Sequence, residues 1–282
     1  MTILVFGATS QIGHFLLPAL RVRGEPVLAV SRRLSAQRAR EGVCWIQGSL
    51  PDAVPEHRDT SVIISFAPLL ALAKWMEQAA LPLSPRVIAT SSMSALSKQN
   101  SPVLAERIVA QQLRDGEAAL ASVCARHGAA WTVLRPTLIY GAGMDKSLTP
   151  IARRAARWRI FPLLSGDGLR QPVHAEDVAL AVLAALDHLA SAGWILSIGG
   201  GERLSVAQMF DRVRQSLAVT SLPLPLPAWL LRFGSHVLPY LRGPLCRLDS
   251  DLLADNTQLT RLLGVQPRPF CPDARCWETA AV

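Results

Sequence analysis

The segment Thr2–Gly24 constrains the fold more than any other part of the chain. It opens with the apolar run Ile3–Phe6, which has the length of one buried strand, and Gly7 follows as a turn residue. From Ile12 the apolar residues are spaced three and four apart, which predicts a helix. A strand, a glycine turn and a helix in this order direct backbone N–H groups and the positive end of the helix at an anion. The segment therefore predicts the phosphate-binding unit of a dinucleotide site.

The glycine spacing of this unit is G-x-x-S-x-x-G, with Ser10 at the middle position. Gly7 allows the tight turn, Gly13 allows helix and strand to pack closely, and the serine can donate a hydrogen bond to a phosphate. The sequence GATSQIG resembles the GATGxIG start of the extended and atypical short-chain dehydrogenase/reductases, the NAD-dependent epimerase/dehydratase-like family. The resemblance implies cofactor contacts from Gly7, Thr9, Ser10, Gln11, Ile12 and Gly13.

Apolar runs alternate with helical patterns along the rest of the chain, which predicts an α/β protein with a parallel sheet and right-handed crossovers. We expect a Rossmann-type doubly wound parallel sheet with a small C-terminal substrate lobe. Residues 1–145 are predicted to form the dinucleotide-binding core. Residues 146–282 are predicted to hold the remaining sheet elements, interleaved with the lobe in a single compact unit. Strands are expected at 3–6, 26–31, 43–47, 62–66, 86–90 and 194–198, and helices at about 69–80, at 177–189 and after Ser205, which has capping-box spacing to Gln208.

Two arginines, Arg32 and Arg33, stand at the end of the predicted second strand, and no acidic residue occurs at this point. In a dinucleotide site this position lies beside the adenosine ribose. A carboxylate there holds the 2′-hydroxyl of NAD, whereas an arginine pairs with the 2′-phosphate of NADP. The sequence therefore predicts NADP as the cofactor, with NAD less favoured. The alternative is that both arginines are solvated on a loop.

The resemblance also implies which later residues lie beside the cofactor. In the family, the loop after the fourth strand leans over the phosphates and ribose of the cofactor. The strand and turn RPxxxYG, here Arg135–Gly141, lies near the nicotinamide. The residues implied are Phe66, Ala67, Pro68, Thr90 and Pro136.

Ser91 and Ser92 follow the fifth strand, where a serine or threonine of resembling enzymes hydrogen-bonds the substrate oxygen. In those enzymes a Tyr-x-x-x-Lys pair on the next helix completes the chemistry. The tyrosine moves the proton, and the lysine lowers its pKa. Residues 101–127 contain neither tyrosine nor lysine, and alignment on the segment RDGEAAL puts Val109 and Leu113 at the two positions. The ordinary mechanism therefore cannot run through them.

Three other residues are weaker candidates for proton transfer. Tyr140 is expected to pack near the nicotinamide, and Lys98 is expected to be solvated. His174 belongs to the segment RQPVHAEDVA, which resembles the family signature R-x-x-x-H-V-x-D-V-A. There the residues matching His174 and Asp177 mainly fix the loop and cap the next helix, and the arginine matching Arg170 binds the diphosphate of a nucleotide sugar.

Two further segments have several possible roles. Arg153 and Arg157 lie one turn apart on a predicted helix, where they either meet an acidic ligand or are solvated. The segment 221–244 is apolar and contains several prolines. Three roles are open for it: it lines a substrate pocket, it lies on a membrane surface, or it packs as the small lobe. Within it, Ala228–Leu238 fits a short amphipathic helix.

The composition indicates which kinds of ligand the protein binds and in which cellular compartment it is found. The net charge is +8, but only three of the 29 basic residues are lysines and no aromatic residues are interleaved, which favours small anionic ligands over nucleic acid. Five cysteines without a C-x-x-C pair indicate reduced thiols and no metal site. Neither a signal peptide nor a membrane-spanning run is recognisable. We therefore expect a cytoplasmic monomer or homodimer that acts on a small molecule and has no integral membrane segment.

Two functional hypotheses from different classes follow. The first is a redox or epimerase/dehydratase enzyme for a nucleotide sugar or similar anionic substrate, with a non-standard catalytic site. The second is a non-catalytic NADPH-binding accessory or sensor protein, similar to the accessory subunit of respiratory complex I, which has also lost the tyrosine and lysine. Val109 and Leu113 favour the second hypothesis, and Arg170 favours the first.

Overall fold

The structure, a computed structural model, describes residues 2–33, 43–55, 59–79, 81, 84–164, 166, 168–226 and 248–278. Within these ranges strands and helices alternate along most of the chain. The strands are β1 (Thr2–Phe6), β2 (Val27–Ser31), β3 (Val43–Gln47), β4 (Thr60–Ser65), β5 (Arg86–Thr90), β6 (Ala130–Pro136), β7 (Ile139–Tyr140), β8 (Ile160–Leu164), β9 (Leu169–Arg170), β10 (Val173–His174), β11 (Trp194–Ile198), β12 (Leu204–Ser205) and β13 (Leu222–Leu226). The helices are α1 (Gln11–Val22), α2 (Leu69–Gln78), α3 (Ser94–Ser97), α4 (Leu104–Arg126), α5 (Leu148–Trp158), α6 (Ala175–Asp187), α7 (Val206–Gln215) and α8 (Thr257–Leu263).

A seven-stranded sheet forms the centre of the protein, in the order β11-β6-β5-β4-β1-β2-β3. Every neighbouring pair in this sheet is parallel. The chain order changes direction at β1, which lies between β4 and β2. Ligands of such sheets bind at the carboxyl ends of the strands beside the point where the order reverses. The predicted fold class, a doubly wound parallel sheet, is confirmed.

Helices cover both faces of the sheet, and each face has its own apolar core. Successive side chains of a strand point to opposite faces. Val62 and Ile64 of β4 accordingly pack under α1, α6 and α8, whereas Ile63 packs under α2 and α4. The central strands are apolar on both sides because helices cover both of their faces.

A third apolar core organises the small lobe. It joins α5, β8, α7 and the C-terminal segment through fully buried Phe161 and Phe270 and through Trp277. β8 and β13 pair in parallel and together form a separate two-stranded sheet. These elements are interleaved in the chain with β11, which joins the central sheet.

Several predicted elements have the predicted bounds, and the others differ by a few residues. β3, β5 and β11 have the bounds expected from their apolar runs. β4 begins at Thr60 and ends at Ser65, because Thr60 is buried beside Thr2 of β1 despite its polar side chain. α6 begins at Ala175, two residues before the expected start, because His174 caps it. The expected helix at Ala228–Leu238 lies outside the described residues.

Arg86 is a buried cation at the amino end of β5, opposite the predicted cofactor edge. One of its terminal nitrogens donates to Thr132 Oγ1 at 3.0 Å, to Ser191 Oγ at 2.9 Å and to the carbonyl oxygen of Ala185 at 2.9 Å. Ala185 lies in the last turn of α6, where backbone carbonyls without intrahelical donors favour a positive charge. The arginine thus fastens the end of α6 to the sheet.

The described residues show neither a membrane span nor a metal site. No helix within them has the length and apolar character needed to cross a bilayer. The same residues contain no group of three or more histidine, cysteine or acidic side chains placed to hold a metal ion.

Candidate functional site

Two glycines bring β1 and α1 into close contact at the carboxyl edge of the sheet. Gly7 has φ +68°, a left-handed conformation that L side chains rarely adopt, and a Cβ there would lie 3.0 Å from Cβ of Phe66. A Cβ on Gly13 would lie 2.1 Å from the carbonyl oxygen of Ala8. No residue with a side chain fits at Gly13 without displacing the backbone of the turn. The roles predicted for both glycines agree with this geometry.

Ser10 holds the start of α1. It is the N-cap residue, and its Oγ accepts a hydrogen bond from the backbone N–H of Gly13 at 3.2 Å. The hydroxyl hydrogen therefore remains available for donation to a ligand. As in every helix, the first backbone N–H groups, those of Gln11 and Ile12, lack intrahelical acceptors. Beside them, Oε1 of Gln11 is buried without a hydrogen-bond partner.

The loop after β4 lies against the glycine turn. The backbone N–H of Phe66 donates to the carbonyl oxygen of Phe6 at 3.0 Å, and that of Ala67 donates to Oγ of Ser65 at 3.3 Å. Pro68 is exposed and directly precedes α2. The structure thus brings this loop together with the turn at Gly7.

Arg32 and Arg33 are exposed at the end of β2. Oγ of Ser31 donates to the carbonyl oxygen of Arg33 at 2.8 Å and accepts from its backbone N–H at 3.4 Å, which fixes the turn. Both arginines are therefore accessible at the same edge as the glycine turn.

The two candidate catalytic serines have different surroundings at the end of β5. Oγ of Ser92 accepts a hydrogen bond from the backbone N–H of Ser94 at 3.1 Å and so supports the start of α3. Oγ of Ser91 is buried and has no hydrogen-bond partner, although its backbone N–H donates to Leu134. A buried hydroxyl without a partner costs free energy unless a ligand or water completes it. Ser91 is the better candidate for contact with a substrate oxygen.

Thr90 and Pro136 lie beside these serines. Thr90 is the last residue of β5 and pairs with Leu134 of β6. Pro136 is the last residue of β6, and its carbonyl oxygen accepts from the N–H of Met93 at 2.9 Å. The carboxyl ends of β5 and β6 thus place two predicted cofactor residues next to Ser91.

The helix α4 carries Val109 and Leu113, which the sequence predicts at the positions of the tyrosine and lysine of resembling enzymes. Val109 is 40% exposed and Leu113 is partly buried. Further along α4, Glu117 is buried and binds Arg135 of β6, with Nε of the arginine 2.7 Å from Oε1 of the glutamate. The helix is fastened to the sheet by this ion pair, but neither apolar side chain can transfer a proton.

Lys98 is not solvated, contrary to expectation. Its Nζ lies 3.8 Å from Oε1 of Glu106, and its side chain is mostly buried. Oε2 of Glu106 accepts a hydrogen bond from Ser101 at 2.7 Å. The carboxylate stands in the first turn of α4, one turn before Val109. The sequence did not indicate Glu106 as a site residue, because its partners Lys98 and Ser101 come from the preceding loop.

Tyr140 is a packing residue. It is 1% exposed, and its ring lies edge-on to His174 and Phe270, with ring centroids 5.1 Å and 4.8 Å away. Burial raises the pKa of Tyr140 well above its ordinary value, so the phenol stays protonated. The structure gives Tyr140 a place in the core of the small lobe.

His174 caps α6. Its Nδ1 accepts a hydrogen bond from the backbone N–H of Glu176 at 3.3 Å, which requires Nδ1 to be unprotonated. The other side of the ring covers Gly141, where a Cβ would lie 2.2 Å from Nε2. Burial lowers the pKa of His174, and the nearby Arg268 lowers it further against the opposing effects of Asp177 and Glu176. The loop-fixing role implied by the resemblance agrees with these contacts.

Asp177 and Arg170 fasten the C-terminal part of the chain. Asp177 accepts hydrogen bonds from the backbone N–H and Nε of Arg268, at 2.9 Å and 2.8 Å. Arg170 is buried and donates to the carbonyl oxygens of Leu169 and Ser250 at 2.9 Å and 2.6 Å. Binding of a diphosphate by Arg170 stays a prediction.

Comparison with known proteins supports the relationship that this geometry indicates. The sequence model of the NAD dependent epimerase/dehydratase family matches residues 110–199, from α4 to the end of β11. This part of the chain is similar to that family. This match supports the family resemblance expected from the sequence, although the matched segment does not include the glycine motif at residues 7–13. Curated protein sequences give no match to this chain.

Solved structures of the same fold cover almost the whole chain. UDP-glucose 4-epimerase from Thermotoga maritima, solved with UDP-glucose, is 17% identical, with a TM-score of 0.71 over 99% of this chain and 97% of its own. MoeE5, solved with UDP-glucuronic acid and NAD, is 20% identical, with a TM-score of 0.74 over 99% and 98%. UDP-glucuronic acid 4-epimerase from Bacillus cereus, solved with UDP-glucuronic acid and NAD, is 15% identical, with a TM-score of 0.72 over 99% and 98%. At these identities the similarity establishes the fold.

The cap made by His174 predicts a loss of stability in acid. Because the pKa of His174 is lowered in the folded protein, the unfolded chain binds the proton more readily. Stability is therefore lost as the pH falls through about 6.5 towards the lower folded value, by up to about 1.4 kcal/mol per pH unit. Denaturant unfolding at about pH 7.5 and about pH 5.5 measures this loss.

His174→Asn is the control for this prediction, because asparagine keeps an acceptor at the N-cap and does not titrate. We expect the variant to lose less stability than the unmodified protein between the two pH values. Equal losses in the two proteins would show that His174 does not contribute to the acid sensitivity.

Proposed function

We propose that the protein binds one nicotinamide dinucleotide at the carboxyl edge of the sheet, across β1, β2, β4 and β5. The single observation that carries this proposal is the contact at Gly13, where a Cβ would lie 2.1 Å from the carbonyl oxygen of Ala8. That contact sets the start of α1 against the strand end, where a pyrophosphate meets backbone N–H groups in this fold. Two unpartnered buried atoms, Oε1 of Gln11 and Oγ of Ser91, fit a site that a ligand completes.

The cofactor in this proposal is NADP rather than NAD. Arg32 and Arg33 are exposed where the adenosine ribose of a dinucleotide lies, and Ser31 fixes their turn. Arginine pairs well with a phosphate, whereas the carboxylate that holds the 2′-hydroxyl of NAD in such sites does not occur here. MoeE5 and the epimerase from Bacillus cereus were solved with NAD, so NADP would distinguish this protein from them.

Replacement of both arginines by alanine tests the choice of cofactor. We expect Arg32→Ala with Arg33→Ala to weaken NADPH binding about tenfold to hundredfold, because charge-assisted hydrogen bonds to the 2′-phosphate are lost. NADH binding should change little, since NADH has no such phosphate. Fluorescence titration with both nucleotides measures the two affinities, and the exposed pair Arg21→Ala with Arg261→Ala is a control of equal charge. Equal weakening for NADPH and NADH would contradict the assignment.

The proposed reaction is a redox or epimerase/dehydratase step on a nucleotide sugar or similar anionic substrate. The solved structures of similar fold include enzymes with UDP-glucose and UDP-glucuronic acid. Ser91 would donate a hydrogen bond to the substrate oxygen, since its hydroxyl has no other partner. The tyrosine and lysine positions hold Val109 and Leu113, so the proton comes from another group or from water. Glu106, held beside Lys98, is an acidic group one helical turn before Val109 on α4.

A second candidate function is a non-catalytic NADPH-binding accessory or sensor protein. Val109 and Leu113 favour it because neither side chain can move a proton. The contacts of Arg170 with backbone carbonyls favour it as well, since a substrate diphosphate would have to compete with them. For either function we propose a cytoplasmic location, because the described cysteines, Cys44, Cys124, Cys271 and Cys276, are free thiols.

Hydride exchange distinguishes the two functions. We expect NADPH deuterated at the nicotinamide to transfer its deuteride to the carbonyl carbon of a ketone in a panel of UDP-sugars and ketones. With NADP+ in place of NADPH, we expect a UDP-sugar deuterated at a carbinol carbon to transfer its deuteride to the nicotinamide, and mass spectrometry follows both transfers. Ser91→Ala should slow the exchange about hundredfold, because the substrate oxygen loses its hydrogen-bond donor. Ser97→Ala, at an exposed position of α3, is the matched control. A bound cofactor that never changes its redox state with any member of the panel would favour the accessory or sensor function.

A further inference from the structure

An apolar face of the small lobe is open to solvent. β8 and β13 pair in register, with Leu222 opposite Ile160 and Leu224 opposite Pro162. Paired residues of parallel strands point to the same side, and so do alternate residues of one strand. The outward side therefore carries Ile160, Leu222 and Leu224, which are 47%, 70% and 49% exposed. The inward side carries Phe161, which is fully buried in the lobe core.

The end of α5 extends this face with a tryptophan and arginines. Trp158, the last residue of α5, is 65% exposed. Arg154 and Arg157 lie four residues and one residue before it, on the exposed side of the helix. The backbone N–H of Leu222 donates to the carbonyl oxygen of Arg159 at 2.8 Å, which joins the helix end directly to β13. We call this surface the basic apolar patch; it consists of Arg154, Arg157, Trp158, Ile160, Leu222 and Leu224.

The charge of the patch has one sign. Residues 146–164 and 218–226 contain no aspartate or glutamate. Arg154 and Arg157 make no ion pair in the part of the chain that the structure describes. Arg153, in contrast, is used internally, because it donates to the carbonyl oxygens of Trp277 and Gly143 at 2.7 Å. No acidic side chain of the described ranges thus neutralises Arg154 or Arg157.

We propose that the basic apolar patch binds the surface of a membrane that contains anionic lipids. Exposed tryptophan and aliphatic side chains partition into the boundary between headgroups and acyl chains, and neighbouring arginines meet anionic headgroups. A peripheral contact of this kind requires no membrane-spanning helix. The proposal is independent of the cofactor and of turnover.

A lipid surface fits the patch better than other partners do. A nucleic acid would meet the arginines but would leave the three aliphatic side chains in water. A second copy of the chain related by two-fold symmetry would bring the arginines of both patches towards each other without acidic partners from these segments. An anionic bilayer satisfies both the apolar face and its positive charge.

Sedimentation of the full chain with lipid vesicles tests the proposal. We expect binding to vesicles of equal parts phosphatidylglycerol and phosphatidylcholine, and much weaker binding to vesicles of phosphatidylcholine alone. Arg154→Gln with Arg157→Gln should weaken binding about fivefold for each arginine removed. Leu222→Ser with Leu224→Ser should weaken it about tenfold or more, because less apolar surface is removed from water.

Arg21→Gln with Arg261→Gln is the matched control, since both residues are exposed and lie in other helices. This control should bind as the unmodified protein does, and circular dichroism shows whether each variant is folded. Failure to bind anionic vesicles, or equal weakening by the control pair, would overturn the proposal. Loss of self-association in the Leu222 and Leu224 variant, measured by sedimentation velocity without lipid, would also overturn it and identify the patch as an interface between copies.

Discussion

The close approach of α1 to β1 is the contact on which the rest of the structure depends. With a hydrogen atom as the side chain of Gly13, the helix start can lie against the carbonyl oxygen of Ala8. Ser10 caps the helix, because its Oγ accepts a hydrogen bond from the backbone N–H of Gly13. The left-handed turn at Gly7 brings Phe66 onto the strand end. A helix start, a glycine turn and a second loop are thereby held at one edge of the sheet.

The parallel sheet extends this arrangement to the chemistry-bearing residues. Because all seven strands run in one direction, the carboxyl ends of β5 and β6 meet the same edge as the glycine turn. The unpartnered hydroxyl of Ser91 lies there, beside a helix whose expected tyrosine and lysine are Val109 and Leu113. The strand, glycine turn and helix expected of a dinucleotide site are therefore present, whereas the side chains of Val109 and Leu113 cannot transfer a proton. This contrast is why cofactor binding and turnover are separate questions for this protein.

The sequence predicts local structure better than it predicts which distant residues a side chain contacts. β3, β5 and β11 have the bounds expected from short apolar runs, and the capping box of Ser205 and Gln208 forms as predicted. These features depend on neighbouring residues and so can be recognised in the sequence. Arg86 and Lys98 could not be interpreted in this way, since their partners are brought close only by the fold.

In the candidate site, too, the sequence predicts the local features but not the contacts between distant residues. The glycine spacing predicts the turn and the helix start, but the different surroundings of Ser91 and Ser92 depend on β6 and α3. Arg170 and Asp177 were assigned from a resemblance, and their contacts with Ser250 and Arg268 come from a segment about 80 to 90 residues later in the chain. Tyr140 and His174 likewise acquire their packing and capping roles from the fold of the lobe.

The most direct test of this account is calorimetric titration of the unmodified protein with NADPH and, separately, with NADH. The account predicts saturable binding of one nucleotide per chain, because the glycine turn, the helix start and the loop at Phe66 form one site. Absence of binding for both nucleotides would contradict it. In that case the contact between Gly13 and Ala8 would serve packing alone, and the fold would be a scaffold without a cofactor.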